Sequence, residues 1–202
     1  MEMGFSLVRF RAVPLLFWVG ITLSLFMGST SDAALTTSPT LLLHALAKTT
    51  YPRTQLPAGY TSAKVGNTGK LAGPSPGHTL LGTVGFAVQG PNADGLVYYS
   101  VYPNANDARA IETDPILDPG MRIIERSVPG FKLPGLTLTI PTTGTNSHGK
   151  TVAVTLTVAS VAQGNVVAIG ATVDQANSHV ERPLLQSAVR HLLAIEAKLS
   201  AR

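Results

Sequence analysis

The chain has 202 residues, 45% of them hydrophobic, no cysteine and a formal net charge of +4 at neutral pH. Without cysteine, disulfides and a cysteine-linked lipid anchor are excluded, so the core must be stabilised by non-covalent packing alone. The basic residues form no dense run with interleaved aromatic side chains, which argues against nucleic acid as a partner.

The first 33 residues have the pattern of a secretory signal peptide. Arg9 and Arg11 precede the apolar stretch 15–27, and small residues follow up to Ala33. The apolar stretch is shorter than the ~20 residues of a membrane-spanning helix, and no basic stop-transfer flank follows it. We therefore expect cleavage after Ala33 and a protein that is secreted or located in the cell envelope. The alternative is an uncleaved anchor, the only case in which we expect a membrane partner.

Residues 34–78 are predicted to form a short helix and a Pro/Gly-rich segment that packs on the rest of the chain. Ser38-Pro39 is typical of a helix start, and Leu42 with Leu46 forms an apolar pair one turn apart. We predict a helix over about 39–49, a short strand over Tyr60–Val65 and loop elsewhere.

Residues 79–202 are predicted to form a single α+β domain. Its β-rich segments are Leu80–Gln89, Leu96–Tyr102, Met121–Val128, Leu136–Ile140, Thr151–Val161 and Asn165–Val173. The first two flank the turn-forming cluster 90–95, and the last two are joined by Ala162–Asn165. Each of these pairs is therefore predicted to be an antiparallel hairpin.

Two further helices are predicted in this domain. One runs through Asp107–Thr113, is capped by Asn104 or Asn106, and ends at the Asp-Pro pairs of 114–115 and 118–119. The other spans Val180–Leu199 and starts with a capping box at Ser178 or later at Pro183. Its apolar stripe consists of Leu185, Val189, Leu192, Ile195 and Leu199, with Arg182, Arg190 and Lys198 opposite.

These elements define the expected fold class. It is α+β: an antiparallel sheet of about five to seven strands, with the long C-terminal amphipathic helix on one face and one or two short helices.

The segment GTNSHGKT, residues 144–151, matches the phosphate-loop pattern letter for letter. That motif needs a helix starting at its lysine, because backbone amides and the positive end of the helix dipole bind the phosphates. The residues after Lys150 alternate between polar and apolar side chains and are rich in β-branched Thr and Val, which predicts a strand. We therefore interpret Pro141–Gly149 as a hairpin loop and expect no bound nucleotide.

A second match, Gly73-Pro-Ser-Pro-Gly77, fits the G-x-S-x-G pattern of the hydrolase nucleophile elbow. In that elbow the backbone N–H after the serine binds the oxyanion, whereas Pro76 has no N–H. A strand rather than a helix follows. We interpret Ser75 as part of a proline-rich loop.

Three carboxylates, Glu112, Asp114 and Asp118, lie within seven residues of one another. Calcium favours such oxygens, but the spacing lacks an alternating-acid loop with its central glycine. A solvated helix end followed by a turn is the preferred interpretation. The five histidines show no close ligand pair, and His191 is expected to be partly buried or on the surface. We expect no metal, no cofactor and no catalytic residue.

The remaining candidates are Tyr98, Ser100 and Tyr102, which project from one face of their strand, with Val97, Tyr99 and Val101 on the other. Aromatic side chains on an exposed sheet face can stack on a sugar or an apolar ligand; the alternative is packing beneath a helix. These three residues are the candidate ligand contacts.

The leading functional hypothesis is a non-catalytic exported module that binds a ligand or partner at the envelope or outside the cell. One alternative is a secreted hydrolase whose site is assembled from dispersed residues such as His78, His148 and the acids near Asp114, because catalytic triads occur in any chain order. Another is a structural or adhesive envelope protein that uses the basic residues in the N-terminal third of the mature chain.

Overall fold

A computed structural model describes residues 37–65, 79–90, 94–113, 120–145, 150–174 and 181–201. The expected signal peptide, the Gly73–Gly77 segment, the two Asp-Pro pairs, His78, His148 and Ser178 lie outside these ranges. Predictions that rest on them stay predictions. No helix within the described ranges is long and apolar enough to cross a membrane.

The described chain contains three α-helices, one short 3-10 turn and seven strands. The helices are α1 (Pro39–Lys48), α2 (Ala105–Thr113) and α3 (Glu181–Ser200), and the 3-10 turn is Arg53–Gln55. The strands are β1 (Thr61–Val65), β2 (Gly82–Gln89), β3 (Asp94–Val101), β4 (Arg122–Glu125), β5 (Gly135–Thr145), β6 (Thr151–Gln163) and β7 (Val166–Asp174). The predicted α+β class is confirmed.

All seven strands belong to one antiparallel sheet with the order β1-β2-β3-β7-β6-β5-β4. Two meanders, β1 to β3 and β4 to β7, join where β3 pairs with β7. The chain must therefore travel from β3 to the far edge of the sheet before it can return through β5 and β6. This crossover covers four strand spacings, about 19 Å, and α2 lies on it.

One side of the sheet, here called the α3 face, presents Val97, Tyr99 and Val101 of β3 and carries α1 and α3. Leu42 and Leu46 of α1 and Leu185 and Leu192 of α3 are fully buried there in one core. This core forms because the apolar stripes of both helices need a partner surface.

The closest approach of helix and sheet is at Gly170 of β7. A Cβ built on this glycine would lie 2.5 Å from both Glu181 O and Leu185 N. The backbone of α3 therefore rests directly on β7, which only glycine permits.

The other side, here called the α2 face, presents Leu96, Tyr98 and Ser100 of β3. Among the described helices only α2 packs on it, over Ala162 and Val167. Asn104 caps α2, since its Oδ1 accepts the Asp107 N–H at 2.9 Å. That confirms one of the two predicted caps.

Three boundaries differ from the sequence predictions. β5 continues through Pro141 to Thr145, where a loop was predicted from Pro141 onward. β4 pairs only with residues 137–139, so β5 is an edge strand beyond that point, and proline is tolerated there. The predicted strand Met121–Val128 shrinks to four residues with a bulge between Ile123 and Glu125. Asp94 and Gly95, predicted as turn, begin β3.

Candidate functional site

The three predicted contact residues lie on or next to β3 but in different surroundings. Tyr98 and Ser100 are half-buried on the α2 face, whereas Tyr102 follows β3 and is buried with Ala108 and Ile111 of α2. The structure therefore brings Tyr98 and Ser100 together on an accessible part of the sheet and places Tyr102 under the helix.

The ring of Tyr98 lies over Gly85 of the neighbouring strand. A Cβ at Gly85 would be 2.6 Å from Tyr98 Cε1, so the absent side chain leaves room for the ring against the sheet. Burial raises the pKa of the Tyr98 hydroxyl, which keeps it a neutral hydrogen-bonding group at physiological pH.

The phosphate-loop match lies in the β5–β6 hairpin. Thr145 ends β5, and Thr151 begins β6 directly opposite it. A strand, and not the helix that a phosphate loop requires at its lysine, follows Lys150. The predicted strand after Lys150 is confirmed, whereas the predicted loop from Pro141 is shortened by β5.

A buried polar network joins α3 to the sheet and to the segment after α1. The Tyr51 hydroxyl lies 2.6 Å from Ser187 Oγ, and the Tyr99 hydroxyl lies 3.0 Å from His191 Nδ1. The Tyr51 ring also packs on the His191 ring, with the centroids 4.5 Å apart. His191 is only 2% exposed, so the prediction of a partly buried or surface histidine is wrong.

The partners constrain the direction of each hydrogen bond. The Tyr99 hydroxyl lies 3.1 Å from the Ala188 carbonyl oxygen and, when it donates to that oxygen, accepts from His191 Nδ1–H. Ser187 donates to the Gln55 carbonyl oxygen, so Tyr51 must donate to Ser187. In that arrangement neutral His191 carries its proton on Nδ1, and its Nε2 has no hydrogen-bond partner among the described residues.

The ionisation of these groups is suppressed by their surroundings. Burial raises the pKa of Tyr51 to about 12 and that of Tyr99 well above its usual range. Burial, with a smaller effect of the Lys198 charge, lowers the pKa of His191 to about 4. Ser187 uses its only proton on a carbonyl and has no histidine as base, so this constellation is not an activated nucleophile. Its role is to dock α3.

Acid should weaken the docking of α3 through His191. The pKa is about 4 in the folded chain and about 6.5 when unfolded. The stabilisation is therefore fully present above about pH 6.5 and is lost as the pH falls through 4. We expect the stability of the wild type relative to His191→Leu to drop by on the order of 3 kcal/mol between pH 7 and pH 4.

Urea unfolding of both proteins at the two pH values measures that difference. His44→Leu, at an exposed position of α1, is the control and should follow the wild type at both. A difference between wild type and His191→Leu that does not change with pH would contradict the assignment.

A second buried polar group lies on the α2 face. Glu112 is 4% exposed, and its Oε2 accepts a hydrogen bond of 3.0 Å from Ser160 Oγ of β6. Burial raises the pKa of Glu112 to about 8, against the lowering effect of the bonds from Ser160 and the Leu136 backbone. The predicted solvated helix end is therefore wrong for Glu112, because α2 turns this residue toward the sheet it crosses.

The burial of Glu112 was visible in the helical spacing of the sequence, whereas the hydrogen-bond partners of His191 were not. Ala108, Ile111 and Glu112 have the spacing of one helical face, and all three are buried. The network around His191 instead joins residues up to 136 positions apart, which no local pattern marks.

Within the described ranges, no group of three or more His, Asp or Glu side chains is placed to hold a metal ion. Comparisons with protein-family models, curated proteins and solved structures found no match for this chain.

Proposed function

We propose that this chain is an exported, non-catalytic module that binds a ligand or partner at the cell envelope or outside the cell. The proposed contact surface is the part of the α2 face around Tyr98 and Ser100. Export rests on the pattern of residues 1–33, with cleavage after Ala33.

The observation that carries the proposal is the position of Tyr98. This aromatic ring lies over Gly85, near the middle of a seven-stranded sheet, and remains half-buried instead of packing in a core cluster. A flat ring with a hydroxyl at its edge suits a sugar ring or an apolar ligand, because it offers both a stacking surface and a hydrogen-bonding group.

The enclosed polar groups support the non-catalytic part of the proposal. Ser187, His191 and Glu112 are each less than 5% exposed, and their hydrogen bonds are made within the protein. A catalytic group has to reach a substrate atom within hydrogen-bond distance. These side chains connect secondary-structure elements instead.

Replacing Tyr98 by alanine should remove the bound species with little change in fold. Native mass spectrometry of protein recovered from the envelope or medium of its own host should show residues 34–202 with a non-covalent ligand. We expect Tyr98→Ala to bind the ligand about 5- to 150-fold more weakly, if its ring contributes the roughly 1–3 kcal/mol known for an aromatic side chain stacked on a base.

Leu193→Ala is the matched control, because Leu193 is exposed on α3 at the opposite side of the sheet. It should retain the ligand fully. Equal retention by the two variants, or a wild type without any bound species, would count against binding at Tyr98. A mass that includes residues 1–33 would overturn cleavage.

A further inference from the structure

Helix α2 is a short element attached to the sheet by one face. Its nine residues turn Ala108, Ile111 and Glu112 inward, over Ala162 and Val167. Two of the three inward side chains are apolar, and the third is a carboxyl group. The charge state of that carboxyl therefore influences whether the helix remains docked.

Among the described residues, the hydrogen-bond partners of the Glu112 carboxyl are uncharged. Its two hydrogen-bond donors are Ser160 Oγ and the Leu136 backbone N–H, neither of which carries a charge. Arg126 approaches α2 at the Thr113 carbonyl oxygen, 3.4 Å away, and Arg109 lies one turn before Glu112.

The titratable side chains Tyr102, Glu112 and Asp107 lie near one another in this region, and none of them supplies a positive charge. Tyr102 is buried beside α2, and burial followed by the charges of Glu112 and Asp107 raises its pKa. A carboxylate at Glu112 would thus be desolvated, with only uncharged hydrogen-bond donors among its described partners. The neutral acid is the favoured form in the closed structure.

We propose that Glu112 is a pH-sensitive latch: as a neutral acid it holds α2 on the sheet, and its ionisation releases α2 and uncovers the apolar cluster beneath. The cluster so uncovered consists of Tyr102, Ala162, Val167 and the partly buried Leu80 and Ile169. This inference goes beyond the proposed function and does not depend on any ligand.

The direction of the effect follows from linkage. The pKa of Glu112 is raised to about 8 in the folded chain, against about 4.3 when unfolded. The stabilisation of the folded state by protonated Glu112 is fully present below about pH 4.3 and is lost as the pH rises through 8. Because α1 and α3 have a separate core on the other face, the loss should affect α2 before the whole domain.

Amide hydrogen exchange tests the latch on the full-length mature chain. Protection of peptides covering 105–113 should fall about 90-fold between pH 6 and pH 9, after correction for the intrinsic rate, because the opening equilibrium rises about tenfold per pH unit up to the pKa of about 8 and levels off above it. Glu112→Gln, an uncharged isostere of the acid, should keep its protection within twofold. Peptides from α3 should stay protected in both proteins.

Glu196→Gln on α3 is the matched control and should lose α2 protection with pH as the wild type does. Equal pH dependence in wild type and Glu112→Gln would overturn the proposal, as would simultaneous loss of protection in α3. If Glu112→Gln does not fold, infrared spectroscopy of the wild type decides. The carbonyl stretch of a protonated carboxylic acid should be present at pH 6 and gone by pH 9, and its absence at pH 6 overturns the latch.

Discussion

Replacing Gly170 by alanine should lower the free energy of unfolding by about 3 kcal/mol, a large effect for one methyl group. The added Cβ would meet Glu181 O and Leu185 N at 2.5 Å and Leu185 Cα at 3.0 Å. All three are backbone atoms of α3, and a helix backbone cannot yield as a side chain does. The helix must therefore shift away from β7 and loosen the core that contains Leu185 and Leu192.

Gly82→Ala is the matched control, because it adds the same methyl group beneath the other helix of that face. Its Cβ would meet Leu43 Cδ2 at 2.9 Å, the mobile end of a leucine side chain on α1. Rotation of that side chain relieves the contact, so we expect a change below about 1 kcal/mol. Urea unfolding monitored by far-UV circular dichroism measures both variants, and equal midpoints would disprove the direct contact of α3 with β7.

Replacing Tyr99 by phenylalanine should destabilise the protein by about 2–3 kcal/mol, although a single oxygen atom is removed. The change leaves His191 Nδ1–H without its acceptor in a fully buried site where Nε2 already lacks a partner. An imidazole with two unsatisfied nitrogens bears the full cost of desolvation.

A double-mutant cycle separates this effect from lost packing. Tyr99→Phe combined with His191→Leu removes both partners, so it should be less destabilised than the sum of the single variants by about 1–2 kcal/mol. Tyr98→Phe removes a hydroxyl from the adjacent residue on the other face and should change stability by less than about 0.5 kcal/mol. Additive single effects would mean that Tyr99 and His191 do not form the described pair.

The local patterns of the sequence predicted the elements well, because each depends on neighbouring residues. Alternation and turn residues marked the β2–β3 and β6–β7 hairpins, and the apolar stripe of α3 was correct at all five positions. The stripe underestimated how much of α3 is buried, since Glu181, Leu184, Ser187, Ala188 and His191 are enclosed as well. The helix is covered on its flank by α1 and the 3-10 turn, and not only by the sheet.

Three features can be recognised from the sequence alone: the signal-peptide pattern of residues 1–33, the absence of cysteine and the periodicity of each segment. They require only the identity and order of neighbouring residues. The pairing of β3 with β7 was decided by the tertiary structure, because it joins residues about 70 positions apart whose alternation would suit several partners. That pairing makes α2 cross the sheet and brings Glu112 to Ser160. The docking of Tyr51 and Tyr99 against α3 likewise gives Ser187 and His191 partners that no local pattern could name, because burial and hydrogen-bond geometry exist only once distant segments have packed together.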